Sequence, residues 1–119
     1  MLKDKIAKFV GKDHAIDGVA ACAIVSRDGI VAGKSFDPDL NEPWFGALMA
    51  TIHASAESLE SIIRMKSMES ATIRAPPCFI VVMGAGEHFL IATIVKDNAD
   101  PETVYRHLLV VSKEIGQVL

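Results

Sequence analysis

The groups in this chain that could do chemistry are four histidines, two cysteines, a glycine-flanked turn and an arginine beside a hairpin. Catalysis by a nucleophile or an acid–base pair needs such groups to converge. His14, His53, His88 and His107 instead fall in four separate segments, and no two carboxylates are placed for a common cleft. His88 sits at a turn, and His107 lies on the outward side of a helix whose Val104 and Leu108 point inward, so both read as surface residues. Cys22 and Cys78 lie inside apolar runs without metal-ligand spacing, which predicts buried thiols rather than a disulfide or a zinc site. Gly84-Ala85-Gly86 has the composition of a phosphate cradle, but a cradle must open a helix whose N-terminal amides face the phosphate. Here the glycines precede the strand FLIATIV, so they read as a hairpin turn, and the chain has no Walker motif. The expectation is a non-enzymatic protein with no catalytic residue, no cofactor and no metal site.

Composition narrows the remaining classes. At 119 residues the chain suits one domain spanning 1–119. Half of the residues are hydrophobic, so either most elements are covered on both faces or a partner hides the excess. Membrane insertion is not expected, because Pro76, Pro77, Gly84, Gly86, Glu87 and His88 interrupt CFIVVM and FLIATIV well before a span of about 20 residues. The N-terminal MLKDKIAKFVGKDH has no apolar signal core, which points to a cytoplasmic protein. A net charge of −3 without a basic stripe argues against nucleic acid.

The elements follow from periodicity. Leu2, Ile6, Phe9 and Val10 predict a short helix with Lys3, Lys5 and Lys8 outward, ending at Gly11. VAACAIVS is apolar on both faces, as in a covered central strand, and Arg27-Asp28-Gly29 predicts a hairpin into the edge strand IVAGKSF. After a turn-rich loop over Asp37–Pro43, a long helix starts near Pro43 or Trp44 and fades around Lys66 to Ser70. SATIRA has one polar face and runs into Pro76, which marks a second edge, whereas CFIVVM and FLIATIV read as central. Asp100 and Pro101 open a last helix, with Val104, Leu108, Val111, Ile115 and Val118 as its buried stripe. With hairpins joining strands 1–2 and 4–5, and strands 2 and 3 at the edges, strand 1 must lie beside strand 5. The predicted fold is a profilin-like three-layer α/β sandwich. Its topology is α-ββ-α-βββ-α, and its five-stranded, mainly antiparallel sheet has the order 2-1-5-4-3. The long helix covers one side and the other two helices cover the second.

The long helix carries more apolar surface than a core requires. Phe45, Leu48, Ile52, Ala56, Leu59 and Ile63 form the stripe expected to be buried. His53, Glu57, Glu60 and Arg64 form a charged line, expected to be solvated. Beyond it, Ala47, Ala50, Ala54, Ser58 and Ser61 make a second stripe of small side chains on which another element can approach closely.

The hairpin GVAACAIVSRDGIV, the small-residue helix FGALMATIHASAESL, the strand GEHFLIATIV and the closing amphipathic helix together resemble the Roadblock family of dynein light chains and their stand-alone prokaryotic relatives. The resemblance covers essentially the whole chain; Pro76-Pro77 and the bulky Trp44 depart from the family pattern. It implies a dimer in which two long helices lie together and two third strands join. The interface would hold Ala47, Ala50, Ala54, Ser58, Ser61, Thr72 and Arg74. It also implies a platform for Ras-like small GTPases or for larger scaffolds; the functional alternative to a solvated face is that the charged line His53, Glu57, Glu60 and Arg64, doubled by the dimer, forms part of a GTPase-contacting surface. Arg27 would then stand where an arginine finger could act on the bound GTPase, although a charged residue flanking a turn is far more often merely solvated. The alternative from another class is a small-molecule sensor of PAS-like or profilin-like type. The predicted interior of Ile, Val, Phe and Leu offers that reading few convergent polar groups.

Overall fold

The chain folds as α1 (Leu2–His14), β1 (Val19–Ser26), β2 (Val31–Lys34), α2 (Glu42–Ile63), β3 (Ser70–Ala75), β4 (Cys78–Ala85), β5 (Phe89–Lys96) and α3 (Pro101–Val118). This is a computed structural model, and it describes residues 1–36, 40–64 and 68–119. Asp37 to Asp39, in the predicted loop, and Lys66, where the long helix is predicted to fade, lie outside the described residues. The sheet has the order β2-β1-β5-β4-β3, with every neighbouring pair antiparallel, as predicted from the two hairpins and the two polar edges.

Strand alternation divides the core in two. Cys22 and Ile24 of β1, Phe79, Val81, Met83 and Ala85 of β4, and Ile91 and Val95 of β5 face one side. There they pack with Ile6, Phe9 and Val10 of α1 and with Val104, Leu108, Val111 and Ile115 of α3. Ala23, Val25, Val82, Leu90 and Ala92 face the other side, under Met49 of α2. Taking a Val, Leu or Ile side chain from water to full burial contributes about 1.5–3 kcal/mol. The two-sided strands are therefore what make three layers necessary. Val118, predicted to be buried, lies in the last turn of α3 and is half exposed.

α1 does not stop at Gly11 but runs to His14. The reason is Asp13, which is 1% exposed. Thr93 of β5 donates its hydroxyl to both Asp13 carboxylate oxygens, at 3.1 and 2.9 Å, which ties the end of the helix to the centre of the sheet. The turn before β5 is also displaced by a residue or two. β4 continues through Ala85, and the turn is Gly86 to His88, with Gly86 at φ +77°.

α2 is rolled relative to its predicted orientation. Its buried residues are Gly46, Met49 and His53, whereas Leu48, Leu59 and Ile63 of the predicted core stripe are 51%, 50% and 55% exposed. At 100° per residue the two stripes differ by about a quarter turn. The cause is close backbone contact at the hairpin after β1 and at the end of β4. A Cβ at Gly46 would stand 2.3 Å from the Gly29 carbonyl oxygen, and a Cβ at Gly84 would stand 3.1 Å from His53 Nε2. The helix settles into the space these glycines leave, and only a narrow stripe fits beneath it. Phe45 and Ile52 remain half-buried on one flank, where Phe45 meets Phe36 edge to face at 5.0 Å.

α2 begins at Asn41, whose side chain accepts from the Trp44 amide at 3.2 Å, and it ends at Arg64 in the left-handed region, φ 57°. A side chain there costs about 1 kcal/mol relative to glycine. Arg64→Gly is therefore expected to raise the melting temperature by a few degrees. A melting temperature unchanged or lowered by this substitution would show that the arginine side chain stabilises the cap.

Candidate functional site

The outward half of α2 and the free edge of β3 form the most unusual surface among the described residues. Trp44 is 66% exposed and Ile62 73%, beside the half-exposed Leu48, Leu59 and Ile63. The small-residue stripe flanks them. Ala47, Ala54, Ser58 and Ser61 are exposed, while Ala50 is half-buried against the core. The hydroxyls of this stripe are turned back onto the helix: Ser58 donates to the Ala54 carbonyl at 3.1 Å and Ser61 to the Ser58 carbonyl at 3.3 Å. With its polar groups satisfied internally, the stripe presents nearly apolar, low-relief surface. Thr72 and Arg74 are exposed on β3, and Arg74 reaches Asp97 Oδ1 at 3.5 Å.

The charged line of α2 does not survive as one surface. His53 is 3% exposed, which overturns its reading as a solvated residue. The quarter-turn roll of the helix carries it inward, over Gly84. Glu60 is half-buried and accepts from the Met68 amide at 2.6 Å, so it is engaged within the chain. Glu57 and Arg64 remain exposed.

Beneath α2 lies a polar cluster that sequence reasoning missed. Arg27, in the turn after β1, donates through Nη1 to Glu57 Oε1 and Oε2 at 3.1 and 3.2 Å, and through Nη2 to the Gly86 carbonyl at 2.7 Å. His53 Nδ1 stands 3.3 Å from Glu57 Oε1 and 3.4 Å from Arg27 Nη1. Arg27 is thus half-buried and tied to α2 and to the turn after β4, rather than solvated or free to act on a partner as an arginine finger would. Burial is the first cause that pushes His53 below the usual imidazole range; Glu57 opposes the shift and Arg27 adds to it. The i,i+4 spacing of His53 and Glu57 was the available signal, but Arg27 joins them across 26 and 30 residues of sequence.

The other candidate groups stay apart. His88 and His107 are exposed, as predicted, and His14 hydrogen-bonds Ser35 at 2.7 Å. Cys22 is buried, and burial together with the Asp13 charge pushes its thiol up to about 12, so it is no nucleophile near neutrality. Cys78 is only half-buried. Among the described residues, no three His, Cys, Asp or Glu side chains are grouped to hold a metal ion, and no helix is long and apolar enough to cross a membrane.

Comparison with known proteins bears on this geometry. The solved structure of the gliding protein MglB from Thermus thermophilus is similar at 15% identity with a TM-score of 0.83, covering 98% of this chain and 89% of that one. A Roadblock/LC7 domain from Streptomyces avermitilis is similar at 16% identity with a TM-score of 0.81, covering 97% and 95%. Profilin II of Acanthamoeba castellanii shares the architecture at 17% identity and a TM-score of 0.67, covering 96% and 99%. No protein of curated function matches the chain. The family model of the Roadblock/LC7 domain matches residues 14–95, from the end of α1 through β5. The chain belongs to the Roadblock/LC7 family.

Proposed function

We propose that this protein is a non-enzymatic regulator or scaffold, that it acts as a homodimer built on α2 and β3, and that the dimer binds a Ras-like small GTPase. The observation that carries the proposal is the exposure of Leu48, Leu59, Ile62 and Ile63 on α2, close to a β3 edge without a partner strand among the described residues. Large apolar residues concentrated on one helix face mark an interaction surface, and an open edge strand invites pairing. A two-fold axis answers both, because antiparallel α2 helices cover one another while the β3 edges join. The interface then includes Ala47, Ala50, Ala54, Ser58, Ser61, Thr72 and Arg74, extended by the larger residues beside them. The Ile, Val, Phe, Leu and Met that fill both core clusters favour this reading over a small-molecule sensor.

Analytical ultracentrifugation tests the dimer. The parent chain is expected at twice its 12.8 kDa mass. Ile62→Glu and Ala54→Glu are each expected at the single-chain mass, because every interface would then hold two carboxylates without partners, a cost of several kcal/mol. A monomeric parent, or two variants that stay dimeric, would refute the interface. GTPase binding is tested by capture on the immobilised dimer from the native cell extract, and Arg64→Glu is expected to weaken it. Retrieval of no GTPase would count against the partner assignment while leaving the dimer intact.

A further inference from the structure

The polar cluster beneath α2 joins three elements through one shared carboxylate. Glu57 accepts from Arg27 and faces His53 Nδ1, while Arg27 also holds the Gly86 carbonyl. The neutral ring fits this arrangement, because Nδ1–H can donate to Glu57 while Nε2 lies over the bare Gly84 backbone. A second proton would place a full imidazolium charge, on a ring that is 3% exposed, 3.4 Å from the Arg27 guanidinium. One carboxylate would then have to serve two cations, and like charges so close to a buried ring repel. We propose that Arg27, His53 and Glu57 form a latch that is closed while the His53 ring is neutral. It opens when the ring takes a second proton, freeing the turns after β1 and β4 from the middle of α2.

The surroundings favour release of Arg27 over expulsion of the ring. His53 is packed under its own helix, whereas the Arg27 side chain is already 33% exposed at the rim of a 280 Å³ cleft. That cleft is lined by Glu57, Met68, Glu69, Gly84, Gly86 and, from α3, Lys113, among others. The charged groups that bear on the ring are therefore Arg27 from the hairpin turn, Glu57 and Glu60 from α2, Glu69 ahead of β3, and Lys113 from α3. The nearest of them are Glu57, which favours the proton, and Arg27, which opposes it. Burial places the switch on the acid side of the ordinary imidazole value of 6.5. Arg27 Nε, buried and without a hydrogen-bond partner among the described residues, is a reason for the closed state to yield.

The device acts within one chain and stands whether or not two chains associate. It is tested by NMR on the full chain between about pH 4.5 and 7.5, a window that brackets the ordinary imidazole value. His88→Gln is used as background, because His88 lies two residues from Gly86 and its carbonyl accepts from the Arg27 amide. The His53 ring and the Arg27 Nε–Hε resonance are expected to move with one midpoint below 6.5. Glu57→Gln should lower that midpoint, and in a His53→Gln chain the Arg27 movement at that midpoint should vanish. An Arg27 resonance that ignores the His53 titration, or that still moves at the same midpoint in the His53→Gln chain, would overturn the proposal.

Discussion

Gly46→Ala is expected to destabilise the fold by about 2–4 kcal/mol, and Gly11→Ala to stabilise it by about 1 kcal/mol, although both replace a helical glycine with the best helix former. On propensity alone each gains the same ~1 kcal/mol. The surroundings decide the sign. Around Gly11 in α1 there is nothing within 4 Å of a new Cβ, so the full propensity gain is kept. At Gly46 the new Cβ would stand 2.3 Å from the Gly29 oxygen and 3.1 Å from its carbon, both backbone atoms of a turn pinned by hydrogen bonds from Gly29 to Ser26 and from Ser26 to Ile30. Neither can swing aside as a side chain would. Either α2 lifts from the sheet, giving up the packing of Met49, or the hairpin gives way. Gly84→Ala is an intermediate case, since its neighbours at 3.1 and 3.2 Å are the ends of the His53 and Arg27 side chains. Urea denaturation of the three variants measures the order directly. If Gly46→Ala matched Gly11→Ala, the close contact between hairpin and helix would be refuted.

The same contact explains why the layers were legible in the sequence and the candidate site was not. Strand boundaries follow from alternation and local turn chemistry: VAACAIVS and SATIRA coincide with β1 and β3. Sheet order follows from connectivity and polar edges, both properties of short segments. The orientation of α2 follows from neither. A helix with Leu, Ile and Phe on one flank and Ala and Ser on the other is most simply buried by its larger side, which is what assigns Leu48, Leu59 and Ile63 to the core. What rolls the helix is the absence of side chains at Gly29 and Gly84, distant in sequence and informative only once the elements are docked. The Arg27, His53 and Glu57 cluster is hidden for the same reason. Its members are ordinary surface residue types until the hairpin turn lies against the helix. Asp13 is likewise invisible, because a helix stop at Gly11 leaves it in a loop.

Asp13→Asn is expected to remove a pH dependence of stability and to leave the protein more stable near neutral pH. The Asp13 carboxyl faces a hydroxyl from Thr93 and the Cys22 thiol, so burial pushes its pKa from the ordinary 3.8 up to about 6 against the opposing hydrogen bonds. As pH rises from about 4 to 6, the unfolded chain gives up this proton while the folded chain retains it. The folded state then binds more protons, and stability falls with pH through this interval. The contribution is fully present below 3.8, is lost as pH passes about 6, and is flat thereafter. The separation corresponds to ~3 kcal/mol. Cys22, pushed up to about 12, keeps its proton throughout and does not add to the slope. Asparagine has nearly the same shape and can still accept from Thr93, but its amide protons lack an assured acceptor, which returns about 1 kcal/mol or more of the gain. The expected net effect is about 1–2 kcal/mol of added stability at about pH 7.5 and a loss of about 1 kcal/mol or less at about pH 4, where the original carboxyl is itself neutral in the fold and the amide's missing acceptor still counts. Denaturation curves of both chains from about pH 4 to 8 give the difference, in which groups unaffected by the substitution cancel. Curves that stay parallel across that range would show that the carboxylate remains ionised in the fold.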